Sequence, residues 1–203
     1  MNSMPSKPST VSATAIRNKP LAELYIGGAG DEVSRIVLSY ARARAAAGAR
    51  PVEYFPHYAH AAARRTALDL AGAGHRLALI GHSWGADTVL RVAGELDGQA
   101  FWLVGADPVA KPALPFLALG GSQSAARGIL HITARAEAPD RSDFVRAAGY
   151  VTGGGVPRAF RQAGAHIRTH FNHWNFEGMM RAPGEDGRSA EDWLAALDTQ
   201  GAV

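Results

Sequence analysis

Ser83 stands in Gly81-His82-Ser83-Trp84-Gly85, a Gly-x-Ser-x-Gly pentapeptide whose surroundings say more than the pattern itself. The apolar run Leu77-Ala78-Leu79-Ile80 precedes it, and a helix-period series (Val89, Leu90, Val92, Ala93, Leu96) follows at once. A strand feeding a helix through so short a turn strains the backbone of the apical residue and lifts its side chain clear of the sheet. Glycine is needed on both sides, because a side chain there would collide with the neighbouring strand or helix. The hydroxyl then sits at the amino end of a helix, where free N–H groups and the dipole favour a developing negative charge. That is the setting of a nucleophile, but a serine hydroxyl is a poor one at neutral pH. It needs an imidazole to take its proton and a carboxylate to fix the tautomer of that imidazole. The competing reading is a Gly-Ser-Gly turn that only joins a strand to a helix.

With strand before and helix after, the stretch is a nucleophile elbow, and the chain resembles the α/β-hydrolase superfamily over about residues 21–198. The resemblance implies partners in the order serine, acid, histidine, each just beyond the carboxyl end of a strand. Asp107 follows directly on Phe101-Trp102-Leu103-Val104-Gly105-Ala106, and Asp107-Pro108-Val109 is similar to the acid position of a lipase-like subset of the superfamily. Most members draw the acid one strand later, where Asp140 and Asp143 are the alternatives. For the base, His173 lies past the last strand and just before a helix start, whereas His170 would still be inside the strand. Gly27-Gly28-Ala29-Gly30 resembles the loop that supplies part of an oxyanion hole, so the implied donors are the backbone N–H of Trp84 and one from Gly28 or Ala29. His82 is expected to pack or hydrogen-bond locally, while Trp84 and Phe176 are expected in an acyl pocket or in the core.

These residues need a scaffold, and the chain supplies one in strand–helix alternation. Strands are expected at 21–26, 51–55, 77–80, 101–106, 129–134 and 165–171. Asp31 is expected to cap a helix with apolar positions Val33, Ile36, Val37 and Tyr40, and a second helix runs from about His60 to Ala71. Glu137, Asp140 and Asp143 read as an acidic loop, and 149–165, with three consecutive glycines, as a mobile connection with a short helix. Ser189-Ala190-Glu191-Asp192 caps a closing helix through Trp193, Leu194 and Leu197. The fold class is therefore α/β: a mostly parallel central sheet of about six strands flanked by helices, a minimal α/β-hydrolase fold. The division expected is a flexible leader at 1–20, one domain at 21–198 and a tail at 199–203. The apolar stretch from 110 to 127, with Pro112, Leu114, Pro115, Phe116 and Leu117, reads either as sheet-facing core or as a lid.

Composition narrows the function classes. Of 203 residues 47% are hydrophobic and 19% charged, which excludes a largely disordered chain. The formal charge of +3 comes with scattered arginines and no nucleic-acid motif, so no nucleic-acid partner is expected, and peripheral contact with an anionic membrane is a weak option. With no cysteine there is no disulfide, no thiolate nucleophile and no Cys-ligated metal. A dinucleotide cofactor is disfavoured because Gly27-Gly28-Ala29-Gly30-Asp31-Glu32 departs from Gly-x-Gly-x-x-Gly and its acids would repel phosphates. His166, His170 and His173 lack the helical spacing and companion carboxylate of a zinc motif, so neither metal nor cofactor is expected. No signal or membrane span is legible, so the expectation is cytoplasmic synthesis, with export by a signal-independent route left open. The function expected is hydrolysis of a small-molecule or lipid ester through an acyl-enzyme. A thioesterase, or a catalytically silent binding protein on the same fold, is the alternative.

Overall fold

The computed structural model describes residues 20–48, 50–96, 101–112 and 126–199. Six strands form one sheet in the order β2-β1-β3-β4-β5-β6. They are β1 (Leu21–Ile26), β2 (Val52–Phe55), β3 (Arg76–His82), β4 (Phe101–Ala106), β5 (Ala126–Ala134) and β6 (Ala165–Thr169). Every pairing is parallel. The sixth strand stops at Thr169, two residues short of the sequence expectation, and Phe171 lies partly exposed beyond it.

Strand residues alternate between two cores, one on each face of the sheet, as a two-residue period demands. Tyr25, Ile80, Val104 and Ile132 point to one face and meet Phe176, Met179, Met180 and Leu194. These last come from α7 (Phe176–Arg181) and α8 (Ala190–Thr199), and α2 (Ile36–Ala47) adds Val37 and Tyr40. Leu24, Leu77, Leu79, Phe101 and Leu103 point to the other face, against Ala63 and Ala67 of α3 (His60–Gly72) and Val89 and Val92 of α4 (Trp84–Gly94). Phe160 of the short α6 (Arg158–Arg161) closes that side, and Gly105 makes room for it: a Cβ there would come within 2.7 Å of the Phe160 ring. Ser189 and Asp192 cap α8 reciprocally, Asp192 N–H on Ser189 Oγ at 3.1 Å and Ser189 N–H on Asp192 Oδ2 at 2.9 Å, as expected.

Two local expectations need correction. Helix formation after Gly30 is broken: α1 (Asp31–Ser34) ends at Arg35, whose φ of 55° is left-handed, and α2 starts afresh at Ile36. Val33 is exposed rather than buried. Asp31 does not cap its own turn but reaches forward, its buried carboxylate accepting from the N–H groups of Val37 (3.0 Å) and Leu38 (3.3 Å) and from the Tyr54 hydroxyl (2.6 Å). The acidic loop expected around Glu137, Asp140 and Asp143 ends at Asp140, and a regular helix, α5 (Arg141–Gly153), capped reciprocally by Asp140 and Asp143, takes in residues 149–153, expected in a mobile connection. Residues 113–125, expected as buried wall or lid, lie outside the described residues, as do nearly all of the leader and the tail.

Glu23 is the polar residue that strand patterning hid. It is fully buried in β1 and accepts from Tyr25 Oη (2.8 Å), Arg44 Nη2 (2.8 Å) and Arg50 Nη1 (2.7 Å). Burial and the adjacent carboxylate push the Tyr25 phenol well above its usual range, so it remains a donor. Removing one member of such a cluster strands the others' charges or donors in a poorly hydrated place. Glu23→Ala is expected to lower stability by about 3 kcal/mol or more in a urea melt.

Candidate active site

The chain runs from β1 to one side of the sheet and, through β3, to the other, so the crevice above the carboxyl ends of β1 and β3 is the switch point of this topology. Ser83 lies there. It follows β3 directly and caps the start of α4 with φ 52° and ψ −124°, a conformation that residues with side chains rarely adopt. Three main-chain bonds hold it: Ser83 N–H donates to Ala106 C=O (3.1 Å), and its own carbonyl accepts from Ala86 (3.0 Å) and Val109 (3.2 Å). The two glycines around it are sterically enforced. A Cβ on Gly81 would come within 2.5 Å of the Ala86 backbone in α4, and one on Gly85 within 2.1 Å of the Ile26 carbonyl oxygen.

His173 reaches Ser83 from the loop between β6 and α7. Its Nε2 is 3.0 Å from Ser83 Oγ, and its Nδ1 is 2.6 Å from Asp107 Oδ2. A carboxylate can only accept, so the proton sits on Nδ1 and the Nε2 lone pair faces the serine, which donates to it. All three side chains are buried, with Ser83 at 8% the most accessible. Asp107 follows β4 directly and also has left-handed backbone, φ 43°. Its N–H donates to Ile132 C=O (2.7 Å), and its Oδ1 accepts from Ala134 N–H (3.2 Å), so β5 fixes the aim of the carboxylate.

The other sequence candidates fall elsewhere. The His170 side chain is 80% exposed, with its Nδ1 3.8 Å from Glu137. Asp140 caps α5 through Ser142 N–H at 2.7 Å. Asp143 touches the site without touching the imidazole: its Oδ1 accepts the His173 main-chain N–H (3.3 Å), and its Oδ2 accepts from Asn172 Nδ2 (2.8 Å) and Asp140 N–H (3.0 Å). Burial opposes its ionisation, yet these N–H donors and Arg146 hold its carboxyl below the usual range.

His82 does more than pack locally. Its ring lies against that of His173, centroids 4.7 Å apart, and its Nε2–H donates to the His173 carbonyl at 2.8 Å. Burial, and then the neighbouring imidazole, push it down to about 3, so it is neutral at pH 7. The base is thus gripped at its N–H by Asp143 and at its C=O by His82. Sequence reasoning missed both grips, since neither residue type nor spacing announces a contact 30 or 91 positions away.

For an oxyanion, the N–H of Trp84 opens α4, and neither it nor those of Gly28 and Ala29 has a partner among the described residues. Gly28 is pressed against the serine, because a Cβ there would stand 2.9 Å from Ser83 Cβ. The Gly27 N–H is already committed to Phe55 C=O at 2.9 Å. The Trp84 and His57 rings meet edge to face, centroids 5.5 Å apart. Phe176 is core, packed edge-on to Tyr40 and Tyr25. Among the described residues no cluster of histidine and acid side chains is arranged to hold a metal ion, and no helix is long and apolar enough to cross a membrane.

The chain matches no protein-family model and no curated protein sequence. Solved structures similar to it include a Thermus thermophilus protein (15% identity, 91% of this chain and 91% of that one, TM-score 0.45). A Pyrococcus furiosus esterase is also similar (13% identity, 91% of this chain and 83% of that one, TM-score 0.43). So is a Xanthomonas campestris α/β serine hydrolase without a lid (19% identity, 88% of this chain and 80% of that one, TM-score 0.40). The fold is α/β-hydrolase-like: a six-stranded parallel sheet flanked by helices, with a tight turn that lifts Ser83 off the carboxyl end of β3.

Proposed function

We propose that the protein is a serine hydrolase that cleaves carboxylic esters of hydrophobic acyl groups through an acyl-enzyme on Ser83. The observation that carries this reading is the unbroken chain Ser83 Oγ–His173–Asp107, with separations of 3.0 and 2.6 Å. Ser83 Oγ attacks the ester carbonyl carbon while His173 Nε2 takes the hydroxyl proton. Asp107 keeps the imidazole in the tautomer whose lone pair faces the serine and stabilises the imidazolium that forms. The carbonyl oxygen, now negative, is met by the Trp84 N–H and a second N–H from Gly28 or Ala29, each worth roughly 3 kcal/mol when well aimed. The tetrahedral adduct collapses, the imidazolium protonates the departing alkoxide, and the ester bond becomes an acyl–Ser83 bond. Water then repeats the sequence in reverse roles: His173 takes its proton, the hydroxide oxygen adds to the acyl carbon, and Ser83 leaves with that proton as a free acid is released.

The hydrophobic acyl preference is supported by exposed Tyr58, packed edge-on to the His57 ring that meets Trp84, together with the apolar composition of 113–119. Initial rates on p-nitrophenyl esters of increasing chain length, with matched acyl thioesters and phospholipid vesicles in parallel, test the proposal. Faster turnover of medium-chain esters than of acetate is the expected result. Preference for thioesters moves the substrate class, and saturable binding of acyl compounds with no turnover makes the protein a binder.

A further inference from the structure

Among the described residues one cation faces the buried Asp107 carboxylate. Arg146, on α5, places Nη1 3.4 Å from Asp107 Oδ2, the oxygen that also holds His173 Nδ1. The same Nη1 donates to the carbonyl of Ala134, whose N–H binds the other oxygen of Asp107. On its far side, Nη2 stands 3.9 Å from Asp143 Oδ1, the acceptor of the His173 main-chain N–H. The guanidinium lies 5.9 Å from the centroid of the Tyr150 ring, one turn further along the helix. Its side chain is 21% exposed, so its charge is only partly screened. Among the described residues no other arginine or lysine comes within ion-pair distance of Asp107.

A serine–histidine–aspartate chain does not need such a cation, and its charge works against the imidazolium that the aspartate is there to stabilise. We infer that Arg146 is a positioning residue for the Ser83–His173–Asp107 centre: it fixes the Asp107 carboxylate between β5 and α5 and offsets part of the charge that faces His173. The inference rests on the proposed chemistry only where rate is the readout. The other charged or titratable groups facing this carboxylate are His82 from β3, His131 from β5, and Asp143 and Tyr150 from α5, with Arg135 acting on Tyr150. Burial pushes His131 down to about 4 and His82 to about 3, and pushes Tyr150 up to about 12, so none of these three changes charge between pH 5 and 9.

The test is the pH dependence of the His173 imidazole resonances, with that of kcat/KM on a p-nitrophenyl ester, in the wild-type protein, Arg146→Met and Arg146→Lys. In Arg146→Met the imidazole midpoint and the acid limb of kcat/KM should both move up by about half to one pH unit, and Arg146→Lys should restore the wild-type position. A uniform loss of rate at every pH with an unmoved imidazole midpoint overturns the inference, because it is what a merely structural arginine gives. Should Arg146→Met not fold, the wild-type protein decides. The Arg146 guanidinium resonances should shift at the same midpoint as His173, and their indifference overturns the coupling. A protein that shows the shift but turns over no ester loses the hydrolytic reading and keeps this one, whereas turnover without the shift does the reverse.

Discussion

His173→Ala is expected to lower kcat/KM on a p-nitrophenyl ester by about 10³-fold or more, and Asp107→Asn by up to about 10⁴-fold. The two losses have different causes. Without the imidazole nothing accepts the Ser83 proton, since Nε2 is the only group within reach of Oγ among the described residues. Asparagine at 107 keeps the shape, but it can present its NH₂ to His173 Nδ1 and so favour the tautomer whose proton, not lone pair, faces the serine. His170→Ala serves as the control: its side chain is exposed near Glu137 and away from the hydrogen-bonded chain, so kcat/KM should stay within about twofold. Because Ser83 and His173 act as one unit, Ser83→Ala with His173→Ala should be scarcely worse than either alone. Steady-state kinetics on these five variants checks all of this.

Gly85→Ala is the second large effect, on stability rather than on the chemical step alone. The added Cβ would lie 2.1 Å from the Ile26 carbonyl oxygen and 2.6 Å from that of Gly27, and both are backbone atoms that cannot rotate away. Helix α4 would have to lift off the end of β1, losing the packing of Ala86 and Val89 against the sheet and moving Ser83 away from Gly28. A loss of about 3 kcal/mol or more in a urea melt is expected, with activity falling even in the fraction that stays folded. Gly72→Ala, at the last residue of α3 with no atom within 4 Å of its Cβ, should be neutral or stabilising by up to about 1 kcal/mol.

What could be read from the chain was whatever depends on near neighbours. Leu77 to Ile80 with Gly81 and Gly85 announced a strand, a turn and a helix because all three are encoded within a few residues. The short apolar runs of β1 and β4 did the same, and the order of Ser83, Asp107 and His173 followed from strand ends. Helix α5 escaped because its pattern is inverted. Phe144, Val145 and Val151 face outward while Ser142 and Asp143 are buried, so no apolar stripe marks its inner face. Glu23 escaped because a strand covered on both faces reads as apolar, and nothing local says that Arg44 and Arg50 converge on it. The left-handed backbone of Arg35 and Asp107 escaped for a related reason. Neither is glycine or asparagine, and the Asp107 conformation is held by the bond of its N–H to distant Ile132. Contacts set by tertiary structure, such as Asp143 and His82 on the main chain of His173, have no signature in spacing at all.

The account depends on Ser83 being an activated nucleophile, and intact-protein mass spectrometry after exposure to a fluorophosphonate measures that directly. One adduct per chain, mapped to Ser83, absent from Ser83→Ala and slow to form in His173→Ala, is the result predicted. A chain that takes up no label, or that is labelled equally well with Ser83 removed, contradicts it.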